Sequence, residues 1–209
     1  MTTIETTALA RREGRPLQER TAGKVARRPR GLPEYLEALE VDALLRCAHD
    51  VVAGLLMLIQ WRSGLRISEA LALTVADLSL TSDRPTLIVR RGKGNKPRRV
   101  PVHPELRGAL QQRIAYAKLP QSRRLIEADP STGWRWVQRA YGRAVLLGLL
   151  PEGKALGTHT LRHSAARHWL MHGIPINVVS RWLGHARLQT TLIYLEVLPD
   201  PLGEIERVP

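Results

Sequence analysis

The sequence predicts a mainly helical α+β fold with one small antiparallel β-sheet, from apolar periodicity, helix caps and one hairpin signal. Apolar residues recur at helical spacing over residues 33–48, and residues 51–62 are almost continuously apolar. Asp50 is placed to cap the second stretch, and Gly64 can end it in the left-handed conformation that glycine tolerates. We therefore expect the helix over 51–62 to lie at the centre of the core.

Two further helices are predicted in the middle of the chain. Residues 104–118 and 131–147 have helical patterns, and Ser131 or Thr132 can cap the second. Most of its aromatic and aliphatic side chains should pack in the core rather than stack on bases.

The composition indicates a partner of opposite charge. The chain has 209 residues, 32 Lys+Arg against 19 Asp+Glu, a net charge of +13 and a pI near 11.1. Such a balance favours a polyanion, most often nucleic acid and less often an anionic membrane surface. A basic structural protein of the ribosomal kind is the alternative that charge alone leaves open.

Cysteine usage and apolar runs suggest the compartment. Cys47 is the lone cysteine in the sequence, so there is neither a disulfide framework nor a cysteine zinc site, which fits a reducing setting. The apolar run 51–59 is far shorter than the ~20 residues of a membrane span, and the N-terminal residues lack the apolar region of a signal peptide. We expect a cytoplasmic protein with no membrane partner.

A β-hairpin with many cations is predicted from residues 86 to 102. The run 86–90 is short and β-branched, Gly-Lys-Gly-Asn at 92–95 favours a turn, and 97–102 resumes an extended pattern. The glycines that flank the lysine would let it approach a backbone closely. The hairpin either contacts DNA or is a solvated charged loop, and its residues leave both interpretations open. Its cations are Arg90, Arg91, Lys93, Lys96, Arg98 and Arg99.

The segment 153–195 contains no aspartate or glutamate. A surface normally mixes charges, so a long acid-free run with cations indicates that a negative group is expected there. Three short helices are predicted in it, the first capped by Thr158 and the last carrying Tyr194. Histidines four residues apart could suggest a metal, but zinc sites of this spacing normally recruit a carboxylate or cysteine, and none is nearby, so no metal is predicted.

Five motifs occur in a fixed order along the chain. They are Ser-Gly-Leu-Arg-Ile-Ser-Glu around Arg66, Gly-Lys-Gly-Asn-Lys around Lys93, His159-Thr-Leu-Arg162-His, Leu183-Gly184-His185, and a tyrosine nine residues after that histidine. Each motif alone would be weak. Together, over residues 32–197, they resemble the catalytic domain of the tyrosine recombinase (phage integrase) family.

The resemblance implies a site for one DNA phosphate. Arg66 and Arg162 would hold the scissile phosphate with the assistance of His159. Glu69 would support the first arginine, and His185 would hydrogen-bond the phosphate. The resemblance implies no cofactor.

Tyr194 would be the nucleophile, and Lys93 would protonate the leaving 5′ oxygen. A free tyrosine has a pKa of about 10, so cations around the phosphodiester would have to favour its phenolate. Covalent capture as a 3′-phosphotyrosine would conserve the bond energy for rejoining without ATP or Mg²⁺. The other cations predicted to contact DNA are Arg90, Arg91, Lys96, Arg98, Arg99, Arg181 and Arg187.

Three regions are predicted from composition and the resemblance. Residues 1–30, rich in arginine and poor in apolar residues, would be a disordered tail that either grips DNA or is solvated. Residues 31–197 would be the catalytic domain, and 198–209 a tail that could pack on a neighbouring protomer. The family usually places a core-binding domain first, which 1–30 cannot build, so we expect a minimal recombinase or a fragment.

The predicted function is site-specific recombination of double-stranded DNA by a homo-oligomer, a dimer to tetramer on DNA. A type IB topoisomerase would use similar chemistry but reseal the same strand. A noncatalytic DNA-binding accessory protein would fit the charge but not the complete set of polar residues. A topoisomerase would relax plasmids without forming recombinants, and a noncatalytic protein would form no DNA product at all.

Overall fold

The computed structural model describes residues 33–90, 97–185 and 189–194, and the fold is given for these residues. The predicted tails 1–30 and 198–209 and the hairpin turn at 92–95 lie outside them. The helices are α1 (Ala38–Arg46), α2 (Val51–Ser63), α3 (Ile67–Ala72), α4 (Pro104–Ala117), α5 (Pro130–Leu146), α6 (Thr160–Met171), α7 (Ile176–Leu183) and α8 (Gln189–Leu192). The strands are β1 (Leu78–Ser79), β2 (Thr86–Val89) and β3 (Arg98–Pro101), and a 3-10 turn covers Val75–Asp77.

Helix α2 is the centre of the core, as predicted. The Asp50 carboxylate accepts a hydrogen bond of 2.7 Å from the backbone N–H of Ala53, and Gly64 ends the helix at a φ of 62°. The helix packs against α1, α3, α4, α5 and α6. Leu56, Met57 and Ile59 are fully buried, and each such side chain contributes about 1.5–3 kcal/mol relative to exposure.

The sheet is antiparallel in the order β1-β2-β3. Leu87 of β2 lies opposite Val100 of β3, and both side chains are fully buried, so this pair attaches the sheet to the core. The β2–β3 pairing confirms the predicted hairpin. The two-residue strand β1 escapes prediction because it is too short to show an alternating pattern.

The start of α5 differs from the prediction. Asp129, rather than Ser131 or Thr132, caps α5, because its carboxylate accepts from both of their backbone N–H groups at 2.8 and 2.9 Å. Leu146 at the end of α5 is 88% exposed, so not all of the apolar side chains of this helix reach the core.

The mainly helical α+β class with a small antiparallel sheet is confirmed. Within the described ranges, no helix is long and apolar enough to cross a bilayer.

Gly64 lies in the turn between α2 and α3, close to the side chains of Leu183 and Trp169. Its φ of +62° disfavours any side chain, and an added Cβ would lie 2.8 Å from Leu183 Cδ2 and 2.9 Å from Trp169 Cη2. Gly148 offers a matched comparison, since its φ is +67° but nothing lies within 4 Å of an added Cβ. Comparing substitutions at the two glycines therefore distinguishes the cost of backbone strain from the cost of side-chain crowding.

We expect Gly148→Ala to lower the free energy of unfolding by about 1–2 kcal/mol, the cost of a left-handed alanine. Gly64→Ala should lower it by about 1–3 kcal/mol more, because overpacking adds to the same backbone strain. Urea unfolding of both variants measures the difference. Equal losses would show that Leu183 and Trp169 yield without cost.

Candidate active site

Arg66 and Glu69 lie at the start of α3, immediately after the glycine turn. The Arg66 backbone N–H donates to Glu69 Oε2 at 2.8 Å, and Arg66 Nη1 donates to Oε1 at 3.0 Å. Both bonds run from Arg66 to the Glu69 carboxylate, and the bond from the backbone N–H caps the first turn of the helix. The sequence spacing of three residues predicts this pairing, and the structure places the Arg66 guanidinium beside a cavity.

Arg162 reaches the same place from α6. Its Nη1 donates to the carbonyl of Gly64 at 2.9 Å and its Nη2 to the carbonyl of Leu183 at 2.6 Å, and Nη1 lies 3.6 Å from Glu69 Oε2. Burial, followed by the repulsion of Arg66, lowers the pKa of Arg162 to about 10, so it stays cationic at neutral pH. The side chain thus links the ends of α2 and α7 while it carries its charge to the cavity.

Glu69 joins three arginines. Besides Arg66 and Arg162, it accepts a bidentate pair of bonds from Arg98, at 2.9 Å to Oε1 and 2.8 Å to Oε2. Burial raises the pKa of Glu69, but the hydrogen bonds from Arg98 and the Arg66 backbone outweigh burial and hold the pKa below its ordinary value. Three guanidinium groups around one carboxylate leave a local excess of positive charge.

Arg98 lies in the interior instead of at the hairpin surface. Its Nε donates to the carbonyl of Trp182 at 2.8 Å, so with the Glu69 bonds three guanidinium nitrogens are engaged inside the protein. Its side chain is 9% exposed. The predicted DNA contact of Arg98 does not fit this placement, and the arginine instead ties β3 to Glu69 and to the end of α7.

Two histidines predicted for the site border the cavity. His159 is the N-cap residue of α6, in place of the predicted Thr158, and burial, followed by Arg162 and Arg66, lowers its pKa. His185 follows the left-handed Gly184, and its Nδ1 lies 2.7 Å from the hydroxyl of Thr191. Burial, followed by Arg162 and Arg66, lowers the pKa of His185 to about 4, so its imidazole is neutral at pH 7.

Tyr194 lies two residues beyond the end of α8 rather than on it, and its backbone N–H donates to the carbonyl of Thr191. The residue is 2% exposed and packs with Ala166, Val179 and Leu183 in a small cluster between α6 and α7. Burial raises its pKa, although Arg162 and Arg66 act in the opposite direction. Tyr194 is therefore a protonated phenol at neutral pH.

A hydrogen bond that the sequence does not predict holds the tyrosine hydroxyl. His163 Nδ1 lies 2.7 Å from Tyr194 Oη, and the two ring centroids are 5.6 Å apart. His163 directly follows Arg162 in the chain, and that adjacency to a predicted phosphate ligand is the signal by which it could be found. No cluster of three or more possible metal ligands forms in the described part of the chain.

The cavity brings together five of the predicted residues. It measures about 320 Å³ and is lined by Pro33, Arg66, His159, Arg162, His163, His185, Thr190, Ile193 and Tyr194. Among the described residues, two cations, three neutral imidazoles and one phenol therefore face a space open to a small anionic group. This arrangement suits binding and attack at a single phosphodiester.

The other predicted cations divide by position. Arg99 and Arg181 are exposed, whereas Arg90 is ion-paired with the buried carboxylate of Asp77. Lys93, with its predicted role as an acid, lies outside the described residues. The remaining predicted contacts outside them are Arg91, Lys96 and Arg187.

We expect Arg98→Ala to lower the free energy of unfolding by about 3 kcal/mol, because it removes a partner of a buried carboxylate. The adjacent Arg99→Ala is the matched control and should change stability by about 0.5 kcal/mol or less, since Arg99 is exposed on the same strand. Urea unfolding at neutral pH measures both. Similar small losses in the two variants would contradict the interior role of Arg98.

Known proteins are similar to this chain in sequence and in fold. Residues 34–200 match the Phage integrase family. Tyrosine recombinase XerA of Pyrococcus horikoshii is 33% identical over 184 residues, which cover 84% of this chain and 61% of the relative. A resolvase of Escherichia coli is 34% identical over 205 residues, which cover 85% of this chain and 78% of the relative. The chain spans 61–63% of the length of the Xer relatives named XerA and XerD that it matches.

Solved structures agree with the sequence comparison. The crystal structure of XerA recombinase is similar at a TM-score of 0.70 and 28% identity, over 87% of this chain and 66% of that one. The catalytic domain of bacteriophage HP1 integrase is similar at a TM-score of 0.59 and 27% identity, over 84% of this chain and 94% of that one. The chain therefore belongs to the phage integrase family, as its five motifs predict.

Proposed function

We propose that the chain is the catalytic part of a site-specific recombinase, which cleaves and rejoins double-stranded DNA through a 3′-phosphotyrosine. The observation that carries the proposal is the convergence of Arg66, Arg162, His159, His185 and Tyr194 on one cavity. Membership of the phage integrase family supports the same reaction class. The net charge of +13 supports a polyanionic substrate.

Arg66 and Arg162 hold the scissile phosphate in this proposal. Their guanidinium groups remain charged, and Glu69 together with two backbone carbonyls positions them before any substrate arrives. Such fixed donors stabilise charge that develops on the phosphoryl oxygens. The neutral imidazoles of His159 and His185 each add one N–H donor without adding charge. Thr191 can donate its hydroxyl proton to Nδ1 of His185, which places the imidazole proton on Nε2.

Tyr194 is the nucleophile, and Lys93 supplies a proton to the leaving 5′ oxygen. The Tyr194 oxygen forms a bond to phosphorus as the bond from phosphorus to the 5′ oxygen breaks. The phosphodiester energy is retained in the tyrosyl ester, and attack by a 5′-hydroxyl reverses the step. No external energy source is needed for rejoining.

DNA contacts outside the cavity come from Arg90, Arg91, Lys96, Arg99, Arg181 and Arg187. The exposed Arg99 and Arg181 lie in the described chain and can reach a backbone without breaking an internal bond. A related solved chain, XerH recombinase bound to palindromic difH substrate in a post-cleavage complex, is similar at a TM-score of 0.66 and 25% identity, over 85% of this chain and 53% of that one. A palindromic site fits two protomers, so we propose a dimer or tetramer on DNA, acting in the cytoplasm.

The expected result is a detergent-resistant adduct between this chain and DNA, lost in Tyr194→Phe. The DNA is a library of nicked duplexes of random sequence. Cleavage near a nick releases a short fragment that diffuses away, so the adduct accumulates. Sequencing of the captured DNA identifies a preferred site. Tyr141→Phe is the control, because that hydroxyl donates to the Pro151 carbonyl away from the cavity. An adduct of unchanged yield in Tyr194→Phe rejects the nucleophile assignment. Plasmid relaxation without recombinants would instead favour a type IB topoisomerase.

Lys93→Ala should slow cleavage by about 10²–10⁴-fold on ordinary DNA at the captured site, the usual range for a lost general acid. A 5′-thio leaving group should restore the rate, because a thiolate departs without a proton. Single-turnover cleavage of the two matched substrates measures the difference. Equal losses on both substrates would remove the acid role from Lys93.

A further inference from the structure

Among the described residues, the hydroxyl of Tyr194 forms one hydrogen bond, and its partner is His163. The Nδ1–Oη distance is 2.7 Å, which is normal for a strong bond to a hydroxyl. The rings lie 5.6 Å apart at an angle of 48°. The imidazole is therefore hydrogen-bonded to Tyr194 Oη, the oxygen that must lose its proton to become a strong nucleophile.

The other two histidines of the cavity are arranged differently. The ring of His185 is stacked nearly parallel to that of Tyr194 at 13°, with centroids 6.4 Å apart, and its Nδ1 is within 2.7 Å of Thr191 Oγ1. His159 meets the edge of the His163 ring at 6.1 Å. Neither of these two described histidines forms a hydrogen bond to the tyrosine hydroxyl, so both are better placed for the phosphate.

The protonation states suit a transfer from the phenol to the imidazole. Burial, followed by His159 and Arg162, lowers the pKa of His163 to about 4, so the imidazole is neutral and able to accept at pH 7. Burial also raises the pKa of Tyr194, so the phenol does not ionise by itself. A group that takes the proton during attack is therefore required, and it must lie within hydrogen-bond reach of Oη.

We propose that His163 is a further catalytic residue, the general base whose Nδ1 accepts the Tyr194 proton as Oη attacks phosphorus. The inference rests on the proposed function. The Oη–H bond breaks and its electron pair forms the Oη–P bond. The proton moves to Nδ1, and the P–O5′ bond breaks with its electron pair on the 5′ oxygen, which takes a proton from Lys93. In rejoining, the 5′-hydroxyl attacks phosphorus and gives its proton back to Lys93, the Oη–P bond breaks with its electron pair on Oη, and His163 returns its proton to Oη.

The phosphodiester itself makes this transfer feasible. Without DNA, Arg162 and the neighbouring His159 disfavour a positive charge on His163. A bound phosphate adds negative charge beside Arg66 and Arg162 and offsets that repulsion. The base is therefore weak in the free protein and strengthens when its substrate is bound.

The test uses a side chain at position 163 that can accept a hydrogen bond from the phenol but cannot accept its proton. In His163→Asn the amide oxygen can occupy the position of Nδ1 and accept the phenol hydrogen bond, but it cannot take the proton. The variant should form the Tyr194 adduct about 10²–10⁴-fold more slowly at saturating DNA, with the DNA Kd within about 2-fold of the parent. His172→Asn, exposed at the end of the same helix, is the matched control and should be unchanged.

A more acidic nucleophile should bypass the base. Replacing Tyr194 with a ring-fluorinated tyrosine in the His163→Asn chain should recover most of the lost rate, relative to the same replacement in the parent chain. A rate for His163→Asn within about 3-fold of the parent would overturn the proposal, because the acceptor bond alone would then suffice. A slow variant that the fluorinated residue does not rescue would overturn it as well.

Nitrogen NMR of the free protein gives a readout that needs no DNA. At pH 7, Nδ1 of His163 should be unprotonated and shifted by a hydrogen bond, and the shift should disappear in Tyr194→Phe. A proton resident on Nδ1 would overturn the proposal, whatever the cleavage results. Failure of the parent chain to form any Tyr194 adduct would reject the proposed function itself, whereas an active parent with an equally active His163→Asn rejects this inference alone.

Discussion

The arrangement of the site depends on one buried carboxylate. Glu69 is 7% exposed and is shared by Arg66, Arg98 and Arg162, which come from the start of α3, from β3 and from α6. A buried charge is tolerated only when it is paired and hydrogen-bonded, so each of the three arginines compensates part of its desolvation. The same bonds hold two guanidiniums at the cavity. Stability and the geometry for phosphate binding therefore have a common source.

Features set by neighbours in sequence could be predicted, whereas those set by distant residues could not. The limits of α2 follow from Asp50 and Gly64, because caps are local. By contrast, the Arg98–Glu69 pair spans 29 positions, and the His163–Tyr194 contact spans 31. No spacing rule reports such contacts. The motifs therefore indicated which residues converge, but not which of them bond to each other.

The acid-free segment 153–195 shows how a charge pattern changes on folding. Lys154 is bonded to Glu40, at 2.6 Å, and Arg167 to Glu37, also at 2.6 Å, both acids lying near the N-terminal end of the described chain. Part of the cationic excess seen in sequence is thus neutralised by α1 and its cap. Of the remaining described arginines of the segment, Arg162 lies at the cavity and shares Glu69 with Arg66 and Arg98, and Arg181 is exposed.

The contact between Gly184 and Arg98 makes the pairing register of β3 important for the phosphate site. An added Cβ at Gly184 would lie 2.9 Å from Arg98 Cδ, so the turn before His185 rests directly on a side chain of β3. Strand side chains alternate between faces, and a shift of β3 by one residue would send this guanidinium to the other face of the sheet. The same shift would move the buried Val100 away from the core, so a misregistered hairpin would cost the protein both its phosphate site and part of its stability. Correct pairing of β3 with β2 is therefore a condition for activity as well as for folding.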